Sequence, residues 1–281
     1  MVHPAFQLIR PAPRDVLPIV LDSPHSGTEY PEDFGSVLDA AARHYAEDCF
    51  VDRLYANAPR FGATLLAARF PRLYIDPNRS VDDIDAQLLD GAWPEPLAPS
   101  EASRLGIGLI WRLCDGRPVY DRRLGVPEVQ QRIARYWRPY REALQHELDD
   151  LHRRFGAVWH LDVHAMTDDS YQLMGLPDKP LADFVIGDRD GTTADEATVA
   201  TIEAALRHHG YRVARNDPFK GQDIIRSSGR PAEGRRALLI EVKMSCYMDT
   251  AGYRLHDGFG RVQAALDAML QALAEHVRRQ L

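Results

Sequence analysis

Apolar residues in this chain follow two rhythms, and polar residues interrupt them at a few telling places. Ala157-Val158-Trp159 leads into Leu161-Asp162-Val163-His164-Ala165-Met166-Thr167-Asp168, an apolar run with an acid and a histidine toward its carboxyl end. Leu17-Pro18-Ile19-Val20-Leu21-Asp22 runs into Ser23-Pro24-His25-Ser26-Gly27, and Ala237-Leu238-Leu239-Ile240-Glu241-Val242-Lys243 carries one carboxylate inside a β-rich stretch. Such runs predict strands buried on both faces. Further strands are predicted at 63–68, 72–76, 182–187 and 211–215, with short apolar runs at 6–22 broken by Pro11 and Pro13. Helical spacing covers 38–58, 127–155 before Gly156, 193–209 between a Thr192 or Thr193 cap and Gly210, and 259–281. Strands alternating with helices predict an α/β fold with a mainly parallel sheet and helices on both faces. Residues 80–127, rich in Pro, Gly and acids, read as an insertion or lid within it.

Open α/β sheets hold their ligands at the carboxyl ends of strands, which is where His25 and His164 fall. A zinc hydrolase needs about three protein ligands and a neighbouring base, so its parts can be dispersed in sequence. Asp162 shares a strand face with His164 and is suited to hold its imidazole; His160 continues that alternation and reads as a half-buried, satisfied histidine. For the third ligand the residues leave Asp48, Asp52 and Glu29 open, the first two one helical turn apart. Glu241 stands where another apolar residue is expected, so it needs either a partner such as Lys243 or a role as general base. Arg79, after Asn78, has the fork geometry to grip a substrate carboxylate, as does Arg226.

Other chemistries fit less well. A Gly-x-Ser-x-Gly elbow is absent, and Ser23, Ser26 and Cys246 have no base signalled beside them. Gly187-Asp188-Arg189-Asp190-Gly191 lacks the spacing of an EF-hand and the lysine of a P-loop, so it reads as a turn.

Composition narrows the picture further. With 281 residues, 45% of them apolar, the chain can build its own core. A net charge of −7 without a sustained basic block argues against nucleic acid as a partner. Cys49, Cys114 and Cys246 are too few and too scattered for a disulfide framework or a thiolate zinc site, and fit a reducing cytoplasm. No signal-peptide pattern opens the chain and no stretch of about 18 apolar residues suggests a membrane span.

The blocks Ser23-Pro24-His25-Ser26-Gly27, Asp48-Cys49-Phe50-Val51-Asp52-Arg53-Leu54-Tyr55, Tyr74-Ile75-Asp76-Pro77-Asn78-Arg79, Leu161-Asp162-Val163-His164-Ala165-Met166, Ile240-Glu241-Val242-Lys243 and Tyr247-Met248-Asp249 follow one another along nearly the whole chain. In this order they resemble the N-formylglutamate amidohydrolase family, which is similar in fold to zinc carboxypeptidases and aspartoacylases. The resemblance implies a single α/β domain over 1–281 with a mixed, mostly parallel sheet. It implies Zn2+ at His25, His164 and Asp48, a catalytic carboxylate at Glu241 and a substrate-binding Asn78-Arg79 pair. Arg79 is also expected to act in catalysis by stabilising the oxyanion, and Arg226 and Tyr247 are expected as further substrate contacts. The expected substrate is a small N-formyl or N-acyl amino acid. In the carboxypeptidase-like enzymes the acidic ligand lies three residues after the first histidine, where this chain has Thr28; that departure is why Asp48 is chosen. The loop Asn216-Asp217-Pro218-Phe219-Lys220-Gly221 also resembles the family's, with Gln222 where a second glycine is common. Two rival expectations remain: a hydrolase of another N-acyl amino acid or carboxyl-terminal peptide residue, and a metal-binding homologue without catalysis.

Overall fold

The structure, a computed structural model, describes residues 4–281. Its central sheet uses seven strands: β1 (Phe6–Ile9), β2 (Ile19–Ser23), β3 (Thr64–Ala68), β4 (Val158–Met166), β5 (Phe184–Gly187), β6 (Val213–Arg215) and β7 (Arg235–Lys243), in the order β1-β3-β2-β4-β7-β5-β6. β4 pairs in parallel with β2 and β7, β5 pairs in parallel with β6, and β5 runs antiparallel to β7. The sheet is therefore mixed and mostly parallel. The principal helices are α1 (Ala40–His44), α2 (Val51–Leu54), α3 (Val126–Arg132), α4 (Arg138–Phe155), α5 (Glu196–His208), α6 (Asp223–Ser228) and α7 (Gly258–Gln280).

The described chain forms two compact units. The larger comprises Leu8–Ser23, Asp48–Leu66 and Gln145–Leu281. Its core is set by the two-residue period of its strands: Ile19 and Leu21, Trp159, Leu161, Val163 and Ala165, and Leu238, Ile240 and Val242 all project to one face and pack with α2, α5 and α7. On the other face Ala237 and Leu239 pack against Ile225 of α6. Helices thus cover both faces, and the polar residues His160, Asp162, His164 and Glu241 occupy the α6 side. The smaller unit comprises 4–7, Pro24–Glu47 and Ala67–Leu144. Aromatic edges build much of its interior, with Phe34 and Tyr136 each meeting Tyr74 edge-on and Phe70 meeting Tyr136 and Tyr140.

Several expectations are corrected. The 72–76 segment is a turn, not a strand: after Pro71 the Tyr74 amide closes back onto the Pro71 carbonyl. The helix expected over 38–58 is broken into α1 and α2, because Phe50 takes a left-handed backbone at φ 64°. The cap of α5 is Asp195, whose carboxylate accepts from the Thr198 amide at 2.8 Å, not Thr192 or Thr193. Helix α6 lies where only a loop was expected before the Glu241 strand.

Leu161 is fully buried in the larger unit's core. Leu161→Ala is expected to cost about 2–5 kcal/mol, read as a lower urea midpoint at unchanged slope.

Candidate active site

Strand β4 supplies the first part of the site. His164 and Asp162 are two residues apart, so both side chains leave the same face, and Asp162 Oδ1 lies 2.7 Å from His164 Nε2. Asp48 meets the other ring nitrogen, Oδ2 to Nδ1 at 2.8 Å. Burial alone would lower the imidazole's pKa. The charges and hydrogen bonds of Asp162 and Asp48 outweigh burial, and the pKa is raised well above the usual histidine value. Parallel pairing sets Glu241 of β7 directly beside His164, on the same face and buried.

Asp48 reaches His164 from the turn that interrupts the helical pattern. The left-handed Phe50 follows it, a conformation costing a non-glycine residue on the order of 1–3 kcal/mol, and α2 begins directly afterward. Tyr247 fastens that turn by donating its hydroxyl to the Cys49 carbonyl at 2.7 Å. Asp52 lies further along α2 and Glu29 is exposed, with Arg69 as its ion-pair partner.

His25 belongs to the smaller unit and carries a carboxylate of its own. Its Nε2 lies 2.7 Å from Asp76 Oδ1, and that same oxygen accepts the Asn78 amide at 2.8 Å. Asp76 Oδ2 accepts from Arg72 Nη2 at 2.8 Å. Burial would raise the Asp76 carboxyl, but the charges of Arg72, His25 and Arg79 hold it well below the usual carboxylate range. Gly27 serves close approach rather than a bend: a Cβ there would stand 2.3 Å from the Phe70 carbonyl oxygen. In sequence Asp76 stands out only as part of the Tyr74-Ile75-Asp76-Pro77-Asn78-Arg79 block. Its signal was an acid between an apolar stretch and Pro77, a position that buries a carboxylate and so demands partners.

Asp48 and His164 come together within the larger unit, while His25 belongs to the smaller unit; all three residues are buried. The donor set suits a divalent metal: two imidazoles and one carboxylate match the protein ligands of a catalytic zinc site. Each imidazole also has its Nε2 held by a carboxylate, Asp76 or Asp162, the arrangement that orients metal-binding histidines.

The remaining residues fall as follows. Arg79 is buried, its Nε donating to the Ile107 carbonyl at 3.2 Å and its Nη1 to the Asn78 carbonyl at 3.1 Å. Arg226 is exposed on α6 and paired with Asp223. Lys243 pairs with Asp183 at 3.2 Å. His160 is fully buried rather than half-buried, held between Asp22 Oδ1 at 2.6 Å and Ser228 Oγ at 2.8 Å.

The N-formylglutamate amidohydrolase family model matches residues 17–248. The chain belongs to the N-formylglutamate amidohydrolase family. An N-formylglutamate deformylase from Pseudomonas aeruginosa is 30% identical over 243 residues, 84% of each chain. One from Pseudomonas putida is 29% identical over 264 residues, 92% of each chain. A crystal structure of an N-formylglutamate amidohydrolase from Ralstonia eutropha JMP134 is 50% identical, with a TM-score of 0.96 over 99% of both chains. A gene product of Agrobacterium tumefaciens, 17% identical over 99% of this chain and 96% of its own, shares the fold with a TM-score of 0.68. Family membership makes the chain a hydrolase of amide bonds. Among the described residues no helix is long and apolar enough to cross a membrane.

Asp162→Ala and Asp76→Ala each remove the carboxylate behind one histidine. Each is expected to weaken zinc binding about 10–100-fold, measured by competition with a chromophoric chelator; undiminished affinity would remove that carboxylate from the site.

Proposed function

We propose that this chain is a zinc-dependent deformylase that hydrolyses N-formyl-L-glutamate to formate and glutamate. The observation that carries the reading is the buried Asp48, His164 and Asp162 group of the larger unit, with Glu241 in register beside His164. The substrate follows the names of the Pseudomonas and Ralstonia relatives. The overlap with them along almost the whole length supports a single amidohydrolase domain, within which 80–127 is assigned as an insertion or lid.

Zinc held by His25, Asp48 and His164 would supply Lewis-acid activation of water and polarisation of the formyl oxygen. Glu241 then acts as base and acid in turn. Its carboxylate takes a proton from the water that attacks the formyl carbon, and returns it to the amide nitrogen as the C–N bond breaks. Water's oxygen leaves in formate, and the amine leaves as glutamate. Proximity of the proton-carrying group is worth as much here as its basicity: one strand spacing separates the Glu241 backbone from that of His164.

Asn78 and Arg79 are assigned to the substrate's α-carboxylate, and the backbone tethers of Arg79 hold its guanidinium in one orientation. Arg226, exposed and paired with Asp223, is assigned to the side-chain carboxylate, for which it must exchange partners. Tyr247 is assigned as a support for Asp48, since it is fully buried and its hydroxyl is committed to the Cys49 carbonyl.

Glu241→Gln is expected to lower kcat about 10²–10⁴-fold while zinc stoichiometry stays unchanged; retained turnover would remove Glu241 from the proton transfer. Amine release from N-formylglutamate should exceed that from N-formylaspartate, N-acetylglutamate and short peptides. Faster turnover of any of these would change the assigned substrate.

A further inference from the structure

The region 127–155 reads in sequence as one helix, yet it contains Pro139. Proline has no N–H to give and its ring crowds the carbonyl four residues back, here Arg135. The chain accommodates it with a single wide turn at Ile133–Trp137, where the Arg138 amide bonds the Ile133 carbonyl five residues back. That wide turn rotates the register of everything following relative to α3. It leaves Trp137 and Arg141, one turn apart on a shared face, directed at the Pro77-Asn78-Arg79 segment.

The contacts there are unusually complete. Arg141 Nη1 donates to the Pro77 carbonyl at 3.0 Å, Arg79 Nη1 to the Asn78 carbonyl at 3.1 Å and Trp137 Nε1 to the Arg79 carbonyl at 3.0 Å. Three consecutive peptide carbonyls thus each take a side-chain N–H. On the other side the Asn78 amide is held by Asp76. The Arg141 guanidinium also lies 5.4 Å from the Trp137 ring centre, so the two donors brace each other. Pro77, Asn78 and Arg79 are all buried, so their carbonyls need protein donors. Here an indole and a guanidinium, two of the least adaptable donors, fix the peptide planes on either side of the Asn78-Arg79 pair.

We propose that Trp137 and Arg141 are positioning residues that set the Asn78-Arg79 pair for the substrate carboxylate. The inference rests on the reading of Asn78-Arg79 as the substrate grip. It assigns a functional reason to the wide helical turn, which otherwise only relieves Pro139.

The test uses the zinc-loaded enzyme with N-formylglutamate. Trp137→Phe keeps the ring and removes the donor, Arg141→Met keeps the stem and removes the cation, and Arg141→Lys restores a donor. Trp137→Phe and Arg141→Met are expected to raise KM about tenfold, the worth of roughly one hydrogen bond, with kcat within about threefold. Arg141→Lys should recover part of the loss, and the thermal midpoint of Trp137→Phe should move by only a few degrees. In an Arg79→Ala background, which itself raises KM, the added effect of Trp137→Phe should vanish. A raised KM in Arg79→Ala with no change in Trp137→Phe or Arg141→Met overturns the positioning role and leaves the grip standing. A thermal shift without a KM shift makes both residues structural and also overturns it. An unchanged KM in Arg79→Ala overturns the grip, and the positioning role with it.

Discussion

An imidazole taken out of water between two carboxylates is stable only if all three groups remain together, because each desolvated charge costs several kcal/mol on its own. His164 sits in that position between Asp48 and Asp162, and the balance there falls toward the charged pair interactions and away from burial. The same solution recurs four residues earlier on β4, where His160 bridges Asp22 and Ser228, and again in the smaller unit, where His25 meets Asp76 and Asp76 meets Arg72. Buried polar groups at this density are tolerated because each is answered by another. The arrangement that holds the fold's polar interior together is therefore also what orients the candidate ligands.

Register makes that arrangement possible. On β4 the apolar side chains Trp159, Leu161, Val163 and Ala165 alternate with His160, Asp162 and His164, so a slip of one residue against β2 or β7 would drive the histidines into the helix-packed core. The core of α2, α5 and α7 forbids the slip by filling the opposite face with side chains of fitted volume. Packing that never touches the site thus decides that Glu241 faces the same way as His164.

This alternation was legible in the sequence, and so the strands before His25 and around His164 and Glu241, the shared face of Asp162 and His164 and the long helices were read from it, while the choice of Asp48 came from the family resemblance. Where the reading missed, the deciding contact was long-range or the signal was one residue. The helix over 38–58 looked continuous because Ala41, Tyr45, Cys49 and Leu54 keep helical spacing; the break at Phe50 arises because Asp48 must reach an imidazole 116 residues away in sequence. Segment 72–76 has strand-like residues but no partner strand, and Pro71 turns it instead. Helix α6, six residues long, is too short for periodicity to detect. Pro139 was visible within the helical pattern, and its consequence, a wide turn, needed only the rule that proline crowds the preceding turn.

Asp76 shows why the candidate ligand and the candidate substrate grip need not be tuned separately. One of its oxygens accepts from both the His25 ring and the Asn78 amide, while the other is held by Arg72. A carboxylate anchored in this way is ionised and immobile, since the charges around it outweigh its burial. Any displacement of Asn78 along the chain must therefore either stretch the His25 contact or carry the imidazole with it. Within the smaller unit, the candidate substrate grip and the candidate histidine ligand are oriented by a single side chain, and the donors from Trp137 and Arg141 prevent the peptide beyond it from relaxing that coupling.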